Sequence, residues 1–346
     1  MLKNRKGAVL VGMGVLMILS LIFVNTHVTK AEQPLPKAVS IATHSKGSLL
    51  NVIGTGFAKV VSLHTKISAI DRPFAGYTAW IPLVNKSDVD MGISSASELY
   101  YAYKGMPPYK EEHKNLQILC SGNGMDLSYV VRANSGIKTI RDLRNKRVCI
   151  DMSSSTVKLI NETILLAGGL DLKKDITVIP IAGVVEQLNA LADGRADAVW
   201  AATGMGAVKE TAAKVGGIIW LPVCQSADDS AANIIRKGLP GQDVRFWKAG
   251  SAPDEKNDTW LVDSVIVLST YKTFSDEAAF LIVKAIWENE KELAAIHTKL
   301  RGWKEAMVKE NVAQILPYHK GAIRFYKEVG VWPDKIDRIQ KNLLPQ

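Results

Sequence analysis

The sequence predicts an α/β protein whose two lobes flank a cleft, and three observations lead there. From residue 38 onward short apolar strands alternate with amphipathic helical stretches, the pattern of βαβ units whose sheet is covered on both faces. A glycine-rich junction, Ser121-Gly122-Asn123-Gly124, divides that pattern into two sets of similar size. A strong apolar run from Trp260 to Leu268 then brings the chain back after a polar stretch. With 346 residues, 47% hydrophobic and 22% charged, the chain has material for two packed cores. Disorder, a collagen-like fibre and a small disulfide scaffold are excluded.

The elements follow in order. Lys3, Arg5 and Lys6 precede an uncharged run from Ala8 to Val24, which reads as a signal peptide or short membrane anchor occupying residues 1–31. Seventeen apolar residues sit at the lower edge of a spanning helix, so length alone leaves both readings open. Thr29-Lys30-Ala31 is the best cleavage site, and no cysteine follows the run to carry a lipid. A Pro-containing linker leads to predicted strands at Ala38–Ala42, Ile67–Ile70, Val89–Ile93 and Leu116–Cys120. Helices are expected between them, at Leu49–Leu63, Ala79–Val84 and Ala96–Tyr103.

The second set has strands at Ser128–Arg132, Arg147–Ile150, Ile176–Pro180, Ala196–Ala201 and Ile218–Pro222. Its helices fall at Thr139–Leu143, Val157–Ala167, Val184–Asp193 and Gly206–Val215. Residues 225–259, rich in Asp, Gly, Pro and Lys, read as an irregular excursion. Trp260–Leu268 is then one strand, and Ser275 caps a long helix reaching His297. The resulting division gives lobe I residues 38–122 and 226–346, and lobe II residues 123–225, with at least two crossings acting as a hinge.

Charge narrows the partners. The formal +9 includes four bases ahead of the first acid, Glu32; beyond residue 31 there are 39 Lys and Arg against 34 acids, or +5. That is too dilute for a nucleic-acid stripe and leaves a mild preference for an anionic partner. Cys120, Cys149 and Cys224 are an odd count, and the first two lie in strands where buried thiols are favoured over a bridge. No C-x-x-C or Cys/His cluster offers zinc a home, and no cofactor is expected.

Specific motifs then match a known family. Tyr129 to Val148, with its hinge strand and Asp142-Leu143 followed by Lys146-Arg147-Val148, resembles the entry into the second lobe of type II periplasmic binding proteins. Ala192-Asp-Gly-Arg-Ala-Asp-Ala198, Trp287-Glu-Asn-Glu-Lys-Glu-Leu293 with Ile296-His297, and Pro317 to Gly330 resemble the TAXI family, the solute receptors of TRAP transporters, from about Val39 to Trp332. That resemblance implies a two-lobed type II periplasmic-binding-protein fold. It also implies an extracytoplasmic receptor, not an enzyme, that closes on a small organic solute and delivers it to TRAP integral-membrane permease subunits. The chain departs from many relatives after its first strand, where Thr43-His-Ser-Lys-Gly-Ser48 replaces a run of glycines and paired tyrosines, so a glutamate-like solute is not carried over.

In open α/β lobes, ligands sit beyond the carboxyl ends of strands, where helix N-termini present free N–H groups. The candidate ligand-binding residues are therefore Thr43, His44, Lys46 and Ser48 in the first loop; Arg72, Phe74, Gly76, Tyr77 and Thr78 in the second; and Ser94 and Ser95 in the third. Lobe II adds Ser153, Ser154, Ser155 and Thr156, with Thr203 and Gly204 after a later strand. Each has a plain rival: Ser/Thr clusters before helices are also N-caps, and Arg72 and Lys46 can serve as solvated surface charges. Phe74 and Tyr77 suit the wall of a solute pocket. His319 and Tyr326 read as packing, because no nucleophile or carboxylate pair stands at matching spacing, and Ser154 lacks a G-x-S-x-G elbow.

The leading expectation is a receptor for a carboxylate or amino acid. The alternatives are a binding protein of an ABC-type uptake system for another small organic solute, and a two-lobed enzyme such as a deaminase-like pyrrole synthase. The export signal and the absence of a cofactor-linking cysteine context argue against the enzyme.

Overall fold

A computed structural model describes residues 34–343 apart from 45, 153, 154 and 251–256; of Ser155 only the backbone is described. The expected signal or anchor, residues 1–31, lies outside the described residues. In chain order the elements are β1 (Ala38–Thr43), α1 (Leu49–His64), β2 (Ser68–Pro73), α2 (Tyr77–Asn85), β3 (Met91–Ser95), α3 (Ala96–Lys104), β4 (Leu116–Ser121), β5 (Met125–Arg132) and β6 (Arg147–Ile150). Next come α4 (Ser155–Ala167), β7 (Thr177–Pro180), α5 (Val184–Ala192), β8 (Ala198–Ala202), α6 (Gly206–Lys214), β9 (Ile218–Trp220), α7 (Ser230–Gly238), β10 (Asp243–Trp247), β11 (Thr259–Ser264) and β12 (Ile266–Tyr271). The chain ends in α8 (Asp276–Glu288), α9 (Glu290–Ile296), α10 (Glu310–Ala313), α11 (Lys320–Glu328) and α12 (Asp334–Leu343).

The first sheet has the order β2-β1-β3-β12-β4, with β1 parallel to β2 and β3 and β12 antiparallel to both its neighbours. The second has the order β10-β11-β5-β8-β6-β7, with β9 also pairing β5. The central strands of each sheet are buried on both faces, while the edge strands β2, β7 and β10 are partly exposed. On β3, Ile93 points at α1, where it lies near Gly54, while Gly92 points at Trp80 of α2. In the second lobe one apolar cluster gathers Ile164, Leu165 and Ile235 of α4 and α7, and another gathers Leu188, Leu191 and Val208 of α5 and α6. Adjacent residues face opposite ways, the period-2 rule that lets helices pack on both faces of the sheet; the parallel β1, β2 and β3 bring their following loops to the same end.

Five expectations are corrected. Residues 226–264, given above to lobe I, join the second sheet: α7 packs on α4, and β10 and β11 extend the sheet from β5. The polar run before α7 is a cap, not a loop, because the Asp229 carboxylate accepts from the N–H groups of Ala232 (2.7 Å) and Gln225 (2.6 Å). Trp260–Leu268 is two strands in two sheets, β11 against β5 and β12 against β3 and β4, and Val265 between them is the return crossing. The long helix breaks at Asn289, whose φ of −111° and ψ of 35° depart from helical values. The segment before β6 is a single 3₁₀ turn, Ile140–Leu143, held by a Thr139–Asp142 capping box.

The outgoing crossing is tightly packed. A Cβ on Gly122 would stand 2.0 Å from the Trp303 ring, and one on Gly124 would stand 2.1 Å from Asp263 Oδ1. These glycines are there for close approach as well as for bending. Cys120, Cys149 and Cys224 are buried free thiols. Among the described residues no helix is long and apolar enough to cross a membrane.

Candidate functional site

The first loop of lobe I is wired inward. Asn51, a residue the sequence reading passed over, donates from Nδ2 to Thr43 Oγ1 (3.2 Å) and Asp71 Oδ2 (2.9 Å). Its Oδ1 accepts from Gly47 N (3.0 Å), and its backbone N–H donates to the N-cap Ser48 (3.2 Å). Thr43 is fully buried with its methyl against Gly54, so Thr43 and Ser48 hold the loop rather than face a cleft. Lys46 is exposed. His44 differs: its ring meets Tyr77 edge-on at 4.2 Å, burial lowers its pKa, and its Nε2 is buried without a partner among the described residues.

The second loop leaves polar groups unspent. Arg72 is exposed, stacks over the Phe74 ring at 5.3 Å and has no ion-pair partner among the described residues. Gly76 begins α2 without a side-chain cap, and a Cβ there would meet nothing within 4 Å, so the helix N-terminus opens outward. Thr78, also at this end, is exposed. Ser94 shares a face of β3 with Gly92, the face under α2, and its fully buried Oγ lacks a partner among the described residues. Tyr77 hydrogen-bonds with Ser95, and burial beside Glu98 holds its phenol well above the usual range. Ser95 itself caps α3, accepting from Glu98 N at 3.3 Å.

Glu98 is the second residue the sequence reading missed. Its carboxyl is fully buried, accepts from Tyr109 Oη at 2.5 Å, and accepts from Thr156 Oγ1 at the start of α4 in the opposite lobe. Burial raises its pKa, the two hydroxyl donors opposing that rise. The spacing Ser95-Ala96-Ser97-Glu98 is a capping-box pattern, and the departure is that Glu98 turns toward lobe II instead of back to its own cap. Two further bonds from α3 reach lobe II: Tyr101 Oη to Gly238 O (2.7 Å) and Gln242 Nε2 to Ser97 Oγ (2.7 Å).

The other lobe II candidates part company. Ser153 and Ser154 lie outside the described residues, as does the side chain of Ser155. Thr203 is buried and accepts from Lys299 Nζ (3.3 Å), which also pairs with Asp126 (2.9 Å). Gly204, at φ +81°, lies 3.9 Å from the Lys299 stem if given a Cβ. This second constellation continues through Arg245 to Asp263 (2.7 Å) and Lys309 to Asp263 (3.3 Å), tying the crossing strands to the C-terminal segment of lobe I. The contacts therefore link His44, Tyr77 and Ser95 through Glu98 to Thr156, pair Arg72 with Phe74 in the loop before α2, and put Thr203 with Gly204 in a separate ionic cluster around Lys299.

A separate cavity of about 520 Å³ lies between α7–β10 and α10, lined by Arg236, Gln242, Lys309, Asn311 and Gln314 among others. Its charges are spent internally, Arg236 on Asp243 (2.7 Å), Lys309 on Asp263 and Glu310 on Lys335 (2.7 Å). No group of three or more His, Cys, Asp or Glu among the described residues is placed to hold a metal. His319 is buried, contacting Phe274 O at 3.1 Å, and Tyr326 donates to Leu119 O at 2.9 Å, both as packing.

Comparison with known proteins places this geometry. The profile of the NMT1-like family matches residues 41–330, and the chain belongs to that family. A TctC solute-binding protein from Polaromonas has a TM-score of 0.51 at 14% identity, over 84% of this chain and 97% of that one. The periplasmic sulfonate-binding protein SsuA from Methylobacillus flagellatus reaches 0.48 at 14% identity, over 86% and 88%. PhnD1 from Prochlorococcus marinus, in complex with methylphosphonate, also reaches 0.48, at 12% identity over 86% and 99%. The first likeness establishes the fold: two α/β lobes of the type II periplasmic-binding-protein kind.

Proposed function

We propose that this NMT1-like protein is an extracytoplasmic receptor that captures a small organic anion or amino acid by lobe closure. Following the TAXI resemblance, it passes the solute to TRAP-type membrane permease subunits. The observation that carries the reading is the set of unspent polar groups at one end of lobe I. Among the described residues Arg72 has no ion-pair partner, the α2 N-terminus is uncapped by a side chain, and the buried Ser94 Oγ and His44 Nε2 have no hydrogen-bond partner. A cation beside open helix N–H groups favours a negative charge, and buried polar atoms lacking partners are completed by a ligand that supplies them. Phe74 and Tyr77 are partly buried against the lobe I core beside this loop, and Thr156 on the facing lobe gives closure a surface to meet.

Thermal-shift screening of residues 34–346 against mono- and dicarboxylates, sulfonates, amino acids and neutral sugars tests the reading, because a ligand that prefers the folded state raises its melting temperature. One anion class should give a saturable shift that Arg72→Ala weakens. Stabilisation by neutral solutes alone, equal in the variant, would discard it. Copurification with a detergent-solubilised TRAP permease in the presence of that solute tests the partner.

A further inference from the structure

Glu98 has a property the anion reading leaves unused. It lies at the contact between lobes, fully buried, and among the described residues its hydrogen-bond partners are the neutral hydroxyls of Tyr109 and Thr156. Tyr77 faces it from α2, Tyr101 from its own helix, Tyr109 from the segment after α3, and Thr156 from α4. His44 meets the Tyr77 ring edge-on, and burial favours its neutral form. Tyr77, Tyr101 and Tyr109 are themselves held protonated, chiefly by burial. No cation among the described residues pairs with Glu98, in contrast to Asp126 and Asp263 nearby.

We infer that closure of the two lobes is linked to protonation of Glu98: the closed arrangement holds the neutral carboxylic acid, which accepts from Tyr109 Oη and turns its own O–H toward Thr156 Oγ1, and opening releases that proton to water. The inference rests on the proposed lobe closure, but not on the identity of the solute. When Thr156 withdraws with lobe II, water reaches the carboxyl and the ionised form is solvated. When it returns, the charge must be desolvated without a counter-ion, so a proton from solvent is taken up instead. The exchange is one proton onto one carboxylate oxygen, with no other bond made or broken. Closure is therefore favoured as pH falls, by up to about tenfold per pH unit where the closed acid is protonated and the open one is not.

The test needs no solute. Spin labels at Leu63→Cys on α1 and Leu166→Cys on α4, both exposed positions, report the lobe separation, since the three native thiols are buried. Between about pH 9 and about pH 4 the wild-type distance distribution should move toward the closed separation. Glu98→Gln should abolish that movement and favour the closed separation throughout. Thr156→Val should lower the closed fraction at every pH. A wild-type distribution unmoved by pH, or a Glu98→Gln profile that still moves, overturns the proton link. Either result leaves Arg72-dependent anion binding standing, because Arg72 takes no part in the measurement.

Discussion

Two buried carboxyls sit where the lobes meet, and their surroundings differ. Asp126, fully buried at the start of β5, is answered by Lys299 at 2.9 Å and Arg245 at 3.5 Å. Glu98, equally buried at the start of α3, is answered by the hydroxyls of Tyr109 and Thr156. At the hinge the charge is fixed and compensated, so the cluster acts as a permanent tie between crossing strands and the C-terminal segment. At the α3–α4 contact no cation among the described residues pairs with the carboxyl, so the contact can be made or broken by protonation. Burial alone does not tell a structural carboxylate from a switchable acid; the counter-ion does.

The largest effect that sharpens this contrast is Asp126→Ala, which leaves Lys299 partly buried without its anion. Chemical denaturation should show a loss of about 3–5 kcal/mol, the range for breaking a buried pair. Gly122→Ala tests the same crossing by packing. The added methyl meets Trp303, and a destabilisation of about 1–3 kcal/mol is expected in the same assay. At the other end of lobe I, Arg72→Ala should leave the melting temperature of the ligand-free protein unchanged. Calorimetry with the stabilising anion should read a loss of about tenfold to about a hundredfold in affinity, the worth of a charge-assisted hydrogen bond.

The smallest effect is Glu98→Gln. The folded-state pKa of Glu98 is raised by burial above its unfolded value. Its contribution to stability is therefore fully present below the unfolded pKa, about 4.3, and is lost as pH rises through the folded value. The neutral variant should match wild type within about 1 kcal/mol at low pH and gain relative to it at high pH, as denaturation curves at several pH values would reveal. Asp197 gives the opposite sign. Arg147 holds its pKa below the usual carboxylate range, so its contribution is present above the unfolded value and lost as pH falls.

Most of the architecture was legible because each strand is a short apolar run bounded by turn residues. Leu116 to Cys120 and Arg147 to Ile150 were placed to within a residue for that reason. What failed was the reading of composition as irregularity. Asp229 and Ser230 look like loop chemistry but cap and begin α7, and the run through Val265 hides a change of sheet because both strands are apolar. In the candidate site, loop positions could be read from strand ends, whereas the partners of each hydroxyl could not. Thr43 and Thr203 were drawn into bonds with Asn51 and Lys299, which are close only after folding. Glu98 was hidden by its capping-box spacing, a local pattern that a contact from the other lobe overrides.

The most direct measurement is small-angle X-ray scattering of residues 34–346 with and without the anion that stabilises the fold most. The radius of gyration should fall on saturation as the lobes close, and Arg72→Ala should need at least about ten times more anion for the same change. A radius that stays constant while the anion binds, or a change that Arg72→Ala leaves at the same concentration, would contradict capture by closure at this site.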